Sequence, residues 1–211
     1  MATEVDICNI ALSYLGDRAN VTSISPPEGS AQADHCARFY PIALQEILQR
    51  FPWTFATVRA TLPQLVKKPD SVAFAYALPS NCLRILSVYG AANWEVSSWN
   101  IERTDRELIL VSEEPIAYVV YLTNRVPVSQ FSPVFVEALA HLLAAKLAGA
   151  IMPGSTGADV LTKQLQAYEM YAQKAMALDA RQVNESMRIR TPYTGDLSLM
   201  GRYGDFNAHR E

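Results

Sequence analysis

The chain has 211 residues, half of them apolar, with a formal charge of −3. This is too apolar for a disordered chain, and long enough for one compact domain carrying an insertion or an arm. The slight acidity excludes strong electrostatic steering toward nucleic acid or anionic membrane.

Thr3, three residues ahead of Asp6, marks a helix start as a variant of the capping box. Val5, Cys8, Leu12 and Leu15 then share a face widened by Ile7 and Ala11, and Gly16 supplies the stop. Residues 17–29 read as a loop anchored by Ile24 and barred from helix by Pro26-Pro27. Residues 30–51 predict a long amphipathic helix. Ala33, Cys36, Ala37, Tyr40, Leu44, Ile47, Leu48 and Phe51 recur there at steps of three and four, with Gln32, His35, Arg38, Gln45, Gln49 and Arg50 opposite. Pro41 predicts a kink in it. Pro52 predicts the stop at Phe51, because it disfavours helical backbone in the residue before it. Trp53 and Phe55 follow at once, each aromatic burying about 150–250 Å². Cys36, Tyr40, Phe51, Pro52, Trp53 and Phe55 are therefore the structural motif on which the helices are expected to meet the β structure.

From Trp53 to Thr123, β-branched and aromatic residues rise and turn signals cut the chain into short pieces. Strands are predicted over Phe74–Leu78, Cys82–Tyr89, Trp94–Val96, Trp99–Arg103, Glu107–Val111 and Ile116–Leu122. Turns are predicted at Thr104-Asp105-Arg106 and Ser112-Glu113-Glu114-Pro115. Together they predict a small antiparallel meander, residues 53–131, inserted in a helical frame.

Ser132 as N-cap and Pro133 at the first helical position reopen helix to about Met152. This helix is apolar nearly all round, but Glu137, His141 and Lys146 argue for a packed helix instead of a membrane span. Pro153-Gly154 breaks it. Thr156 with Asp159 restarts a last helix, whose face is Val160, Leu161, Leu165, Tyr168, Ala172, Ala175 and Leu178, to about Val183. The short break predicts an antiparallel hairpin, residues 132–183, completing a bundle begun by residues 1–52. The expected fold is mainly α within α+β: an antiparallel helical bundle, a small antiparallel β insertion and an extended C-terminal arm, residues 184–211. The arm scatters Met187, Ile189, Leu197, Leu199, Met200 and Phe206 without period among Arg188, Arg190, Tyr193, Arg202, Tyr203 and Arg210. Tyr and Arg are enriched at interface hot spots. Arg188, Arg190, Tyr193, Arg202, Tyr203 and Phe206 are the candidate partner-binding residues, toward another protein or a neighbouring subunit.

No catalytic, metal or cofactor site is expected. His35 and Cys36 are adjacent on a helix, so they point about 100° apart and cannot pair as base and thiol. His141 on its apolar helix reads as a satisfied core histidine. No CxxC, HExxH or paired-histidine spacing supports zinc. Gly149, Gly154 and Gly157 around Ser155 and Thr156 lack the Gly-Lys-Ser/Thr ending of a phosphate loop. Glu113 and Glu114 read as solvated turn acids, and Trp94 and Trp99 as sheet-packing residues. Cys8, Cys36 and Cys82 are odd in number, far apart and set in apolar patterns, so they read as reduced core residues. Met1 leads straight into Ala-Thr-Glu-Val-Asp, with no signal-peptide pattern.

Several stretches in order carry a family likeness. They are Ile7-Cys8-Asn9-Ile10-Ala11-Leu12 with Leu15-Gly16, then Ser30, Ala33, Cys36 and Tyr40, then Leu48 and Pro52-Trp53-Thr54-Phe55-Ala56. Tyr76-Ala77-Leu78-Pro79-Ser80-Asn81-Cys82-Leu83-Arg84-Ile85 completes the series. Over residues 4–90, and by type over the hairpin of 132–183, the chain resembles the head-to-tail adaptor proteins of short-tailed bacteriophages, the group that includes tail tubular protein A. The resemblance implies a structural virion protein made in the host cytoplasm and placed at the head–tail neck. Copies form a ring, dodecameric by that likeness, beneath the portal protein. The ring extends the DNA channel, lets genomic DNA pass without specific binding, and offers a platform to the tail tube or nozzle protein. No enzyme activity, cofactor or membrane contact is implied. The arm's role as portal grip rests on position and composition. Two other readings stay open beside this one: a soluble interaction or scaffold module that forms no ring, and an enzyme with a site dispersed around His141, Glu137 or the Glu113–Glu114 pair.

Overall fold

The computed structural model describes residues 2–18, 20–66, 72–91, 93–104, 108–152 and 154–182. Helix α1, Glu4–Tyr14, opens on the reciprocal Thr3–Asp6 capping box. It closes on Gly16 at φ +74, where the Asp17 and Gly16 amides donate to the carbonyls of Leu12 and Ser13. Helix α2, Ala31–Arg50, is capped by Ser30 and ends at extended Phe51, as Pro52 requires. It runs through Pro41 without a break. Helices α3, Pro133–Ile151, and α4, Ser155–Ala180, follow the strands.

Helix α3 is the axis, with α1, α2 and α4 packing on it. It is long and apolar enough to cross a bilayer, yet 61 % of its most apolar window is buried, which fits a core helix. Ala148 lies beside Gly157, and His141 beside Gln164 and then Tyr171, so α4 returns antiparallel to α3. A Cβ on Gly157 would sit 2.0 Å from the Met152 carbonyl oxygen. Gly157→Ala must therefore push backbone apart, and a loss of about 1–3 kcal/mol is expected in urea denaturation. An unchanged midpoint would mean that the α3–α4 turn has slack.

The strands correct the expected meander. β1 (Thr57–Ala60), β2 (Phe74–Ala77), β3 (Cys82–Tyr89), β4 (Trp99–Arg103), β5 (Leu108–Ser112) and β6 (Tyr118–Thr123) form two antiparallel sheets, ordered β1-β6-β3 and β2-β5-β4. Only β4 and β5 pair as sequence neighbours. β6 pairs back to β1, with Thr57 opposite Leu122. The Ser112–Pro115 segment crosses from one sheet to the other instead of turning a hairpin. Trp94–Val96 is no strand; a single bridge, Tyr89 to Glu95, joins it to β3. Between α2 and β1, Thr54–Ala56 is one 3₁₀ turn.

Alternation along β6, together with two register irregularities in β3, between Cys82 and Arg84 and between Ile85 and Ser87, explains the layering. Leu122 of β6, with Leu83 and Leu86 of β3, packs on the helical core. Ile85, Val88, Val119 and Tyr121 meet Tyr76 and Leu110 between the two sheets. The outer face of the second sheet, Ala75, Ile109 and Val111, is covered by Leu65 and Val72. Residues 63–65 run beside β2, through Leu65 N–H to Ala75 O at 2.8 Å and Ala77 N–H to Pro63 O at 3.0 Å. Helices, first sheet and second sheet stack in that order, with residues 63–65 running along the free edge of β2.

Three further expectations change. Helix α4 starts on Gly154 (φ +84) with no side-chain cap, so the Thr156–Asp159 start does not form. Its last helical residue is Ala180, and Val183 lies outside the described residues. Leu161, Leu165 and Leu178 are exposed, not part of a buried stripe. Asp105, Arg106 and Glu107 also lie outside the described residues, as do arm residues Arg188, Arg190, Tyr193, Arg202, Tyr203 and Phe206.

Candidate functional site

The segment that ends α2 and the last turn of α4 form one unit. Pro52 turns the chain so that Trp53 points inward, and its indole is 1 % exposed. The Trp53 Nε1–H donates to the Ile47 carbonyl at 2.9 Å, one of the orphan acceptors at the end of α2. Phe51, Phe55 and Phe135 surround the indole at centroid distances of 5.2, 5.6 and 4.9 Å, the first and last edge-on. The 3₁₀ turn then presents Thr54 to α4. Its N–H and hydroxyl donate to the two carboxylate oxygens of Asp179 at 2.9 and 2.7 Å. Asp179 is 4 % exposed. Gln182 Oε1 lies 3.4 Å from the same hydroxyl. The Pro52-Trp53-Thr54-Phe55-Ala56 motif thus fixes the point from which the C-terminal 29 residues depart.

The other motif residues also have structural duties. The Asn9 carboxamide pairs with both backbone groups of Val21, at 2.8 and 2.9 Å, and so pins the 17–29 loop to α1. Ile24 is buried as expected. Cys8 and Cys36 are fully buried, and a thiol–thiol hydrogen bond together with burial pushes the Cys8 thiol up. Tyr40 is buried beside them, with no hydrogen-bond partner for its hydroxyl among the described residues; burial pushes its phenol up. Cys82 is only half-buried, at the rim of the inter-sheet core, which corrects the expectation of a third core cysteine.

Helices α2 and α4 flank a groove of about 630 Å³ lined by Glu46, Arg50, Thr162, Leu165, Gln166, Tyr168 and Glu169. Arg50 spans it, donating through both terminal nitrogens to Glu169, with the guanidinium carbon 5.2 Å from the Tyr168 ring centre. Lys146 rises from α3 to Glu46 at 2.5 Å. The hydrogen bonds from Arg50 hold the Glu169 carboxyl below its ordinary value of 4.5. A lowered folded-state value means the pair stabilises above pH 4.5, and that contribution is lost as pH falls through the folded value. The pair is half exposed, so it is worth at most about 1 kcal/mol. The melting-temperature gap between wild type and Glu169→Gln should therefore narrow between pH 6 and pH 3. A gap that widens on acidification would contradict this.

His141, Glu137 and Lys146 are all engaged on α3. The His141 ring stacks between Tyr14 and Tyr171 at 4.3 and 5.2 Å, and its Nδ1–H donates to Gln164 Oε1 at 2.7 Å. Glu137 accepts from the Tyr14 hydroxyl, and burial plus that bond push the Tyr14 phenol up. Neither His141 nor Glu137 lines the groove, and the structure does not bring them near Glu113 or Glu114. Glu113 borders a separate shallow cavity of about 290 Å³ with Trp99, Asn100 and Glu102. Glu114 is half-buried instead of solvated. Trp99 packs at the inter-sheet core, whereas Trp94 is 42 % exposed against Gly90. Among the described residues no cluster of three or more His, Cys, Asp or Glu side chains is arranged to hold a metal ion.

Asp179 and Thr54 were not singled out from the sequence as a pair. One signal pointed to Asp179: it continues the buried stripe Tyr168, Ala172, Ala175 at the next helical step, where an acid needs a partner. No protein-family model matches the chain, and no curated protein matches its sequence.

Proposed function

We propose that the chain is a structural subunit of a ring at the head–tail neck of a short-tailed phage, with no catalytic role. In this reading the four helices act as an antiparallel bundle, the two sheets as its β insertion, and residues 184–211 as the arm that binds the portal protein. The ring continues the DNA channel and docks the tail tube or nozzle below. The observation that carries the reading is the aromatic corner. The quoted Pro52–Ala56 motif is bonded to the last turn of α4, so a buried aromatic corner sits at the root of the C-terminal segment. The duties of Asn9, Cys36 and Tyr40 in the α1–α2 region support the likeness over residues 4–90. A chain of charge −3 also suits a channel wall over which a duplex slides, since each phosphate contact would add salt-dependent grip.

The test is deletion of residues 184–211 from the purified protein, followed by capture on the portal protein of the same virion. Portal binding should be lost, with the melting temperature within a few degrees of the full chain. Portal binding that survives the deletion would overturn the arm's role and favour an interaction module of another kind.

A further inference from the structure

The groove between α2 and α4 is more apolar than its lining alone indicates. Leu161 lies four residues before Leu165 on α4, and Ile42 four residues before Glu46 on α2, so each extends a wall by one helical turn. All three apolar side chains are exposed, Ile42 by 50 %, Leu161 by 36 % and Leu165 by 39 %. Lys146 reaching Glu46 makes α3 the floor. The result is an apolar trough that starts beyond the Arg50–Glu169 bridge and runs toward the α3–α4 turn. Glu46 and Glu169 stand at its rim, their side chains 49 % and 51 % exposed. Paired apolar positions at i and i+4, rimmed by charge, are what a docked segment seats against.

We infer that the occupant is residues 183–211 of the same chain, laid back along α4 in the unassembled subunit. This rests on the reading of that segment as the assembly arm. The lengths fit. From Gln182 back to Glu169 is about 20 Å at 1.5 Å per residue of helix. About seven extended residues cover that distance, so residues beyond 189 have slack to spare, and Leu197, Leu199 and Met200 reach Leu165, Leu161 and Ile42 without the segment being fully extended. Arg188 and Arg190 fall on the stretch that passes the Glu169 rim. A tether this short gives an effective concentration of order mM, so at micromolar protein the chain's own segment outcompetes the same segment of a second copy. Groove and portal then compete for the same residues, and the free subunit keeps its arm parked until the portal displaces it.

The test places the photocrosslinker p-benzoylphenylalanine at position 165 of the full-length protein, irradiates it at micromolar concentration without portal, and maps the joined peptides by mass spectrometry. Crosslinks at monomer mass into residues 183–211 are expected. They should fall at least tenfold when Leu197→Asp, Leu199→Asp and Met200→Asp are added, with the circular dichroism spectrum unchanged. Crosslinks into 183–211 only at dimer mass would overturn the inference by giving the groove to a second copy. No crosslink into 183–211 would overturn it outright. Portal capture of the unmodified chain is scored separately. Capture without the crosslink sinks this inference alone, and crosslinks without capture sink the adaptor reading.

Discussion

Trp53→Ala is expected to lower the free energy of unfolding by about 3–5 kcal/mol, the range for emptying a buried tryptophan site. The indole touches three phenylalanines from three different parts of the chain: Phe51 at the end of α2, Phe55 in the 3₁₀ turn and Phe135 at the start of α3. Its removal leaves a void that these rings cannot fill by small shifts, because Phe135 is itself fully buried and packed against Phe131 and Phe55. It also strips the Ile47 carbonyl of its donor. Trp94→Ala is the control. That ring is 42 % exposed, lying against Gly90 after β3, and its loss should cost about 1 kcal/mol or less. Urea denaturation followed by far-ultraviolet circular dichroism separates the two. Equal losses would mean that the corner is not the keystone of the helical layer.

Asp179→Ala is expected to cost about 1–2 kcal/mol, because it orphans the part-buried Thr54 N–H and leaves the Thr54 hydroxyl only the longer contact to Gln182 Oε1. The double change with Thr54→Val should show a coupling of about 1 kcal/mol from the hydroxyl, the backbone donor still being orphaned. Global stability is the smaller part of the consequence. Releasing Asp179 frees the last turn of α4, so the amides of residues 176–182 should exchange with solvent faster than those of Leu139 to Leu147 in α3. Uniform acceleration across both helices would show that the clamp acts on the whole fold and not on the root of the C-terminal segment.

Helix ends were legible because their signals are local. Thr3 with Asp6, Gly16, Ser30, Pro52 and Ser132-Pro133 each act within four residues, and each makes the contact its type predicts. The central place of α3 was also legible, since a helix apolar on all sides has nowhere else to go. The division into two sheets was not. Alternation along a strand tells which residues are inward, but not which sheet a strand joins, and β1 pairs with β6 at separations of 59 to 65 residues. β1 itself is four residues long, with no fully buried side chain to betray it. Leu161 and Leu165, on the same stripe as buried Tyr168, misled for a different reason. Periodicity locates an apolar face, yet α2 packs chiefly on α3 and meets α4 at the Arg50–Glu169 and Arg50–Tyr168 contacts, so the part of that face at Leu161 and Leu165 opens into the groove. The Thr54–Asp179 clamp joins residues 125 apart in the chain and leaves only the mark of an acid on an apolar stripe.

These results connect one packing feature to the proposed role. The corner at Trp53 holds the last turn of α4, and in the proposed arrangement the groove along α4 receives the segment that follows. Assembly on the portal would then be conditional, with ordering of the arm on its partner supplying the switch.

Native mass spectrometry of the full-length protein, alone and after mixing with the portal protein, tests the adaptor reading most directly. The account predicts a monomer alone, and a portal-bound ring of fixed copy number after mixing. A monomer that ignores the portal, or a stable ring formed with no portal present, would contradict it: the first in its function, the second in its conditional assembly.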